Sequence, residues 1–107
     1  MAIALIASPG AVTGNGNQTC GSFTPTSNSV ILVYGFIAPG TTAAPGITDS
    51  AGLTWTLWDT YMKDNNRTMR LWTAPVVTSP GAMTVTVTNS GNITYVAIQV
   101  WTGVNLV

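Results

Sequence analysis

The chain lacks most of the side chains with which enzymes move protons near neutral pH. Its 107 residues include no histidine, and its acidic residues are all aspartates, namely Asp49, Asp59 and Asp64. Because histidine and glutamate are the usual groups for this work, a Ser-His-Asp hydrolase is excluded. We predict that the protein has no catalytic residues and is not an enzyme. The remaining enzymatic hypothesis is a carboxylate pair, Asp59 and Asp64, of the kind that hydrolyses glycosides.

Ligands for metals and cofactors are equally scarce. A chain with one cysteine, Cys20, and no histidine cannot supply the ligands of a zinc site, a haem or an iron–sulfur cluster. Asp59 and the run Asp64-Asn65-Asn66 offer oxygen ligands for Ca²⁺, but their spacing does not match an EF-hand loop. We therefore predict no metal and no cofactor. Cys20 has no partner for an internal disulfide and is predicted to be a free thiol, buried or half-buried.

Charge is also sparse. Three basic and three acidic residues make up 6% of the chain and cancel to a net charge of zero, where ordinary soluble domains carry about 25% charged residues. Without a basic run, nucleic-acid binding is not expected, and without a long apolar run neither is a membrane span. All the charges lie between Asp49 and Arg70. They form either a polar rim that meets a partner or the solvated tip of one hairpin.

What the chain does contain is β-forming sequence cut by turn signals. Four of its prolines are followed directly by glycine, a pair that presets a tight turn; these prolines are Pro9, Pro39, Pro45 and Pro80. Between the turns we predict about eight strands, which include residues 2–7, 29–38, 46–48, 53–61, 67–75, 82–88 and 93–104. Residues 8–28 are predicted to be a long loop or arm. The continuous apolar run of residues 29–38 predicts a central strand that is buried on both faces.

This spacing of short strands predicts an all-β protein. Turn signals every 8 to 12 residues are typical of a two-sheet antiparallel β-sandwich with jelly-roll or immunoglobulin-like topology. The sequence does not choose between these two topologies. We predict one domain over residues 1–107, with the polar run Lys63-Asp64-Asn65-Asn66 as a hairpin tip.

Aromatic and apolar residues supply the candidate contacts with a partner. Trp55 shares a strand face with Leu53 and Leu57 and is predicted in the core, whereas Trp58 and Trp72 are predicted on the surface. The first strand and the long loop are predicted to embrace the partner or a sister copy. The candidate partner-contact residues are Ile3, Leu5, Phe23, Trp58 and Trp72.

Four segments in the later part of the chain form a recognisable pattern. They are residues 47–57 (ITDSAGLTWTL), 70–76 (RLWTAPV), 84–88 (TVTVT) and 100–104 (VWTGV). In order and spacing they resemble the β-sandwich modules that recur in bacterial exported proteins and in phage virion proteins. The resemblance covers roughly residues 29–104 and implies a binding or structural role without a catalytic centre. As a chain that runs from Met1 to Val107, the protein resembles the small decoration, or cement, proteins that coat phage capsids.

The surface composition leads to the same expectation by a separate argument. A domain with zero net charge and few charges is poorly protected against association. We therefore predict a structural protein of a phage-like virion, a decoration protein on the capsid surface that stabilises capsomer junctions. Its predicted partners are the major capsid protein or another virion protein, together with copies of itself. The alternative is a carbohydrate-binding or adhesion module at a tail or fibre, which would stack sugar rings on Trp58 and Trp72.

Overall fold

The structure, a computed structural model, describes residues 3–38, 46–63, 67–88 and 93–103. These residues form nine β-strands in two antiparallel sheets, which confirms the predicted all-β sandwich. The described ranges contain no helix that is long and apolar enough to cross a membrane. The strands are β1 (Ala4–Ala7), β2 (Val12–Asn15), β3 (Gln18–Thr19), β4 (Ser29–Ala38), β5 (Gly46–Asp49), β6 (Thr56–Lys63), β7 (Arg67–Val76), β8 (Val85–Thr88) and β9 (Ile93–Thr102).

The order of the strands distinguishes the two topologies that the sequence left open. The larger sheet has the order β1-β9-β4-β7-β6, with β2 also paired to β9, and the smaller sheet has the order β3-β8-β5. In an immunoglobulin sandwich the first two strands lie side by side in one sheet. Here the early strands pair with late strands in inverse order, β2 with β9, β3 with β8 and β4 with β7. This nested pairing, in which the chain passes repeatedly between the sheets, is that of a jelly roll, except that β6 pairs with β7 in the larger sheet and not with β5.

The core lies between the two sheets. Strand β4 contributes alternate residues to it, including Ile31 and Val33, and β8 contributes Val85 and Val87 from the smaller sheet. The predicted alternation of β8 and β9 is confirmed, because Val85 and Val87 of β8 are buried, as are Val96, Ile98 and Val100 of β9, and the residues between them are not. The other buried members of this core are Cys20, Phe23, Trp72, Val76, Met83, Val96, Ile98 and Val100.

Strand β4 has the predicted limits, but the prediction that it is buried on both faces is wrong. Its inward residues Ile31, Val33 and Ile37 are fully buried, whereas Tyr34 on the opposite face is exposed. The smaller sheet covers one side of the larger sheet, and in the described ranges no strand covers the other. The continuous apolar sequence of β4 therefore has a different cause: residues on one side of the strand pack in the core, and residues on the other side form part of an apolar surface.

The predicted loop or arm over residues 8–28 is instead held in the sandwich. It contains β2, which pairs with β9, and β3, which pairs with β8. Beyond β3, the backbone N–H groups of Cys20 and Phe23 donate to the carbonyls of Val85 and Met83, at 3.0 Å each. Strands of two and four residues are too short to show an alternating pattern, so the sequence did not indicate them.

The β6–β7 hairpin differs from the prediction in its limits. Strand β6 begins at Thr56 rather than Leu53 and continues to Lys63, which is therefore a strand residue rather than part of the turn. A β-bulge between Leu57 and Asp59 inserts Trp58 as an extra residue. The rest of the expected turn, residues 64–66, lies outside the described residues.

The Pro-Gly pairs do not all form the tight turn that the sequence predicts. Gly81 has the left-handed φ of +84° that such a turn requires. Gly46, however, is the first residue of β5. Pro39, Gly40 and Pro45 lie outside the described residues.

Candidate functional site

The surface of the larger sheet that faces away from the smaller sheet, here called the outer face, is the candidate site. Directly paired residues of neighbouring antiparallel strands share a face, so the pairing registers arrange the outer face in rows across the sheet. The successive rows are Tyr95, Phe36, Met69 and Tyr61; then Ala97, Tyr34, Leu71 and Asp59; then Gln99, Leu32, Thr73 and Thr56; and then Leu5, Trp101, Val30 and Pro75.

The outer face is apolar and open to solvent. Asp59 is the one ionisable acid or base in these rows apart from the tyrosines. Tyr34, Met69 and Tyr95 are exposed, and Tyr61 is 58% exposed. With strands about 4.8 Å apart and same-face residues about 7 Å apart, the four rows extend over about 300 Å² of the sheet, of which the row of Tyr95, Phe36, Met69 and Tyr61 is entirely aromatic or apolar. Exposed apolar patches on a monomer often mark a site of interaction.

Two adjacent depressions lie at one end of the outer face. The first is lined by Phe36, Tyr61, Arg67 and Met69, and the second by Tyr34, Asp59, Leu71 and again Tyr61 and Met69. Tyr61 and Met69 form the wall that the two share. Each depression is therefore lined by aromatic and aliphatic side chains and one charged residue, a lining suited to apolar groups of a partner.

Trp58 is exposed, as the sequence predicts. Its side chain is 66% exposed, and its indole N–H donates a hydrogen bond to the hydroxyl of Thr73 on the outer face. The bulge is responsible, because the extra residue in β6 leaves Trp58 outside the regular alternation. With its N–H satisfied within the chain, Trp58 offers a partner its aromatic ring.

The prediction that Trp72 lies on the surface is wrong. Trp72 is 4% exposed, pairs with Val33 of β4, and belongs to the core. The even-numbered residues of β7 from Thr68 to Val76 alternate toward the smaller sheet, so Met69 and Leu71 are the outward residues. The two tryptophans of this hairpin thus have opposite environments, and stacking of a ligand on both is not possible.

Phe23 also lies in the core and not on the surface. This candidate contact residue is buried, and its backbone pairs with Met83 in an isolated bridge. Ile3 and Leu5 are exposed as predicted. Leu5 lies in β1 and joins the outer face beside Trp101. Trp55, predicted in the core, is half-buried and packs against it.

Asp49 has a structural role. Its Oδ1 accepts hydrogen bonds from the backbone N–H groups of Ala51 and Gly52, at 2.7 and 2.6 Å. Its Oδ2 accepts from Leu53 N–H at 3.2 Å and from the indole Nε1 of Trp55 at 2.7 Å. Partial burial raises the pKa of Asp49, but these hydrogen bonds outweigh the burial and lower the pKa below its ordinary value. Asp49 therefore anchors the turn that leads from β5 toward β6.

Cys20 is a free, buried thiol, as predicted. Burial raises the pKa of Cys20, against weaker opposing hydrogen bonds from the backbone N–H groups of Val85 and of Cys20 itself. A thiol of this kind is an inert core residue rather than a nucleophile.

The remaining charged candidates do not assemble into a site that the structure describes. Asp59 lies on the outer face, and Asp64 to Asn66, proposed with it as a carboxylate pair or a Ca²⁺ site, lie outside the described residues. Among the residues that are described, no group of three or more histidine, cysteine or acidic side chains comes together.

Sequence reasoning missed most of the outer face. Tyr34 and Phe36 were assigned to a strand buried on both faces, and Met69 and Tyr61 were not singled out. One signal was present: β7 alternates Met69 and Leu71 with Arg70 and Trp72, so one of its faces carries large apolar residues whichever side is buried. Comparisons of the chain with models of protein families, with curated proteins and with solved structures found no match.

Proposed function

We propose that this protein is a non-enzymatic structural protein of a phage-like virion, which decorates the capsid surface by burying its outer face against the major capsid protein. The observation that carries the proposal is the outer face itself. Four strands present rows of aromatic and aliphatic side chains to solvent with one carboxylate among them. Exposed apolar patches on a monomer mark sites of interaction.

The composition of the outer face favours a protein as its partner. The centres of protein interfaces are rich in aromatic residues and methionine and poor in charged residues. The outer face follows this pattern, with Tyr34, Tyr61 and Met69 exposed at the end where the two depressions lie. Aliphatic residues accompany the aromatic ones, since Leu71 pairs with Tyr34 and Leu32 lies in the next row; this mixture suits the packing of apolar side chains better than the binding of polar sugars.

The fold and the surface charge agree with this proposal. Jelly rolls include viral capsid and lectin domains, although this is an analogy at the level of the fold. With a net charge of zero, the protein has little electrostatic protection against association, which suits a surface that is normally covered by neighbours. Because residues 8–28 are held within the sandwich, the contact with the shell falls to the outer face and to β1 at its edge.

The first test is the number of copies per particle. Particles from the native source are banded on a density gradient, and this chain is quantified by mass spectrometry against the most abundant particle protein. A decoration protein is present in numbers comparable with the shell protein. A handful of copies, or absence from any particle, contradicts the proposal.

The second test compares two substitutions of equal charge. Met69→Glu places a carboxylate between the two depressions of the outer face, whereas Thr48→Glu places one on an exposed position of β5 in the smaller sheet. Each variant is added to particles stripped of the protein, and rebinding is measured by co-sedimentation. We expect Met69→Glu to abolish rebinding and Thr48→Glu to preserve it; equal rebinding of the two would refute the use of this face.

Trp58 supports a second candidate function, a carbohydrate-binding or adhesion module. Its ring is largely exposed and its N–H is already bonded within the chain, so it offers a flat apolar surface of the kind that stacks on sugar rings. A glycan that binds there should shift the tryptophan fluorescence of the protein, and Trp58→Ala should remove the shift without changing the melting temperature. A glycan response that persists in Trp58→Ala rules this site out.

A further inference from the structure

Strand β6 forms one edge of the larger sheet, and we propose that two copies of the chain pair through this edge in an antiparallel dimer whose two-fold axis passes through Tyr61. The proposal goes beyond the function proposed above, because it concerns the backbone edge of the sheet and a second copy as the partner; Asp59 and Tyr61 of this edge also belong to the outer face. It stands whether the outer face binds a shell protein, a glycan or neither.

The first argument is the length of the edge. In the part of the chain that the structure describes, β7 is the one strand paired with β6, so the backbone groups on the other side of β6 are available to a further strand. The other edge strands, β1, β2, β3 and β5, have four residues or fewer, whereas β6 has eight. Long edges of this kind are templates for pairing with another chain.

The second argument is that β6 carries apolar side chains that the monomer leaves uncovered. Tyr61 is 58% exposed and Met62, on the opposite side of the strand, is 49% exposed. Leu57 and Trp58 of the same strand are also exposed. Exposed residues on both sides of one edge strand indicate that the edge itself is unprotected.

The third argument determines the register. The bulge at Trp58 interrupts β6 on one side, and the strand ends at Lys63 on the other, so the regular segment is residues 59–63. When this segment pairs antiparallel with a second copy of itself in full overlap, Tyr61 lies opposite Tyr61 of the other copy. Thr60 lies opposite Met62, and Asp59 lies opposite Lys63.

Charge complementarity selects a second copy as the occupant. In this register the position of Asp59 lies directly opposite that of Lys63 in the other copy, and the two-fold axis repeats the pair. Opposite charges directly across a strand pair are favourable and like charges are unfavourable. An unrelated strand would need a matching base and acid at the same spacing, whereas a sister copy provides them by symmetry.

Charge reversal tests the register. Asp59→Lys and Lys63→Asp each convert both symmetric pairs from opposite to like charge, and we expect each to raise the dimer dissociation constant by about tenfold or more. The double reversal, Asp59→Lys with Lys63→Asp, restores the opposite pairs and should restore the wild-type dissociation constant. Sedimentation velocity over a range of concentrations measures all four proteins, and circular dichroism confirms that each is folded.

Disulfide trapping tests the position of the axis. With Cys20 buried, Tyr61→Cys introduces a reactive thiol on the axis, and oxidation by a copper–phenanthroline reagent should link two copies. Met62→Cys is the matched control, because it is one residue away with similar exposure and lies off the axis. We expect a covalent dimer on a non-reducing gel for Tyr61→Cys and much less for Met62→Cys.

Three results would overturn the proposal. They are a wild-type chain that remains monomeric at every concentration, a dimer unaffected by either single reversal, and single reversals that the double reversal does not rescue. Particle binding is tested separately by rebinding of Met69→Glu, because Met69 lies in β7 and takes no part in the proposed pairing of β6.

Discussion

At the scale of single residues, Trp72 and Gly35 show how a large side chain packs against a position that has no side chain of its own. Gly35 lies in the middle of β4, and a Cβ placed there would stand 2.7 Å from Trp72 Cζ3 and 3.0 Å from Val87 Cγ1. The indole of Trp72 therefore lies directly over the backbone of Gly35, with the smaller sheet above it. This close approach explains both the burial of Trp72 and the presence of glycine inside a strand.

Gly35→Ala should accordingly destabilise the protein. The added methyl group forces the Trp72 ring or Val87 to move in a close-packed core, which costs about 1–3 kcal/mol. Denaturant unfolding measures the loss, and near-ultraviolet circular dichroism reports the altered tryptophan environment. Gly10→Ala is the control, because no atom lies within 4 Å of the added Cβ. If the two variants unfold at the same midpoint, the described packing of Trp72 is incorrect.

Asp49 gives a pH dependence whose sign follows from its hydrogen bonds. Burial raises its pKa, but the bonds from Trp55 Nε1 and the backbone of the turn lower it further than burial raises it. A carboxylate whose pKa is lower in the folded state stabilises the protein fully above the unfolded pKa of about 3.9. That contribution is lost as the pH falls through the lower folded value.

We therefore expect Asp49→Asn to lower the free energy of unfolding at neutral pH by about 1–2 kcal/mol, and the difference from wild type to shrink below pH about 4. Asp59→Asn is the matched control, because Asp59 is exposed and accepts a hydrogen bond from its neighbour Thr60; its effect should be within about 0.5 kcal/mol. Unfolding curves at several pH values measure both variants. A constant difference between Asp49→Asn and wild type across this range would contradict the role assigned to the carboxylate.

At the scale of elements, the segment from β2 to Phe23 shows why short strands matter here. Its strands are brief, but it pairs with both sheets, through β9 and through β8. It thereby links the two sheets and brings Cys20 and Phe23 into the core. Ser79 makes two hydrogen bonds to the loop that follows Phe23. Its N–H donates to Ser27 Oγ at 2.8 Å, and its Oγ donates to the Pro25 carbonyl at 2.6 Å.

Phe23→Ala tests whether the segment from β2 to Phe23 is part of the folded sandwich or a loop or arm outside it. Because Phe23 is buried between the sheets, its truncation should cost about 3–5 kcal/mol. Thr24→Ala, at the exposed neighbouring position, should change the stability by less than about 0.5 kcal/mol. Thermal or denaturant unfolding measures both. Equal stability of the two variants would restore the interpretation of this segment as an arm.

At the scale of the whole molecule, apolar surface is divided unequally between the two sides of the sandwich. The outer side of the smaller sheet carries threonines, and Thr19 and Thr86 share a hydrogen bond of 2.7 Å between their hydroxyls. The outer face of the larger sheet carries aromatic and aliphatic residues, with few charges in the chain to separate molecules in solution. One side is thus suited to water and the other to a partner.

This division predicts where an apolar dye binds the native protein. The dye ANS, which fluoresces on exposed hydrophobic surface, should bind the folded wild-type protein. Met69→Glu should reduce its fluorescence several-fold, and Thr48→Glu, which adds the same charge to the other side, should leave it nearly unchanged. Equal reductions in the two variants would assign the effect to net charge rather than to the outer face.

Much of the fold was predictable from the sequence because its causes are local. Alternation in β8 and β9 reflects the two-residue period of a strand, and the limits of β4 match the predicted segment residue for residue. The exposure of Trp58 was also predicted. The site was less predictable: Tyr34, Tyr61 and Met69 gain significance only when neighbouring strands place them in rows.

The sequence by itself determined that the chain forms an antiparallel β-sandwich and that its one thiol has no partner, because strand period, turn residues and composition can be read residue by residue. The tertiary structure decided which side of each strand is covered. Trp58 and Trp72 have similar local sequence, but a bulge in β6 and the pairing of β7 with β4 send one to the surface and the other to the core. Those choices depend on the register between distant strands and on the sheet that lies above them, and neither is encoded in a local pattern.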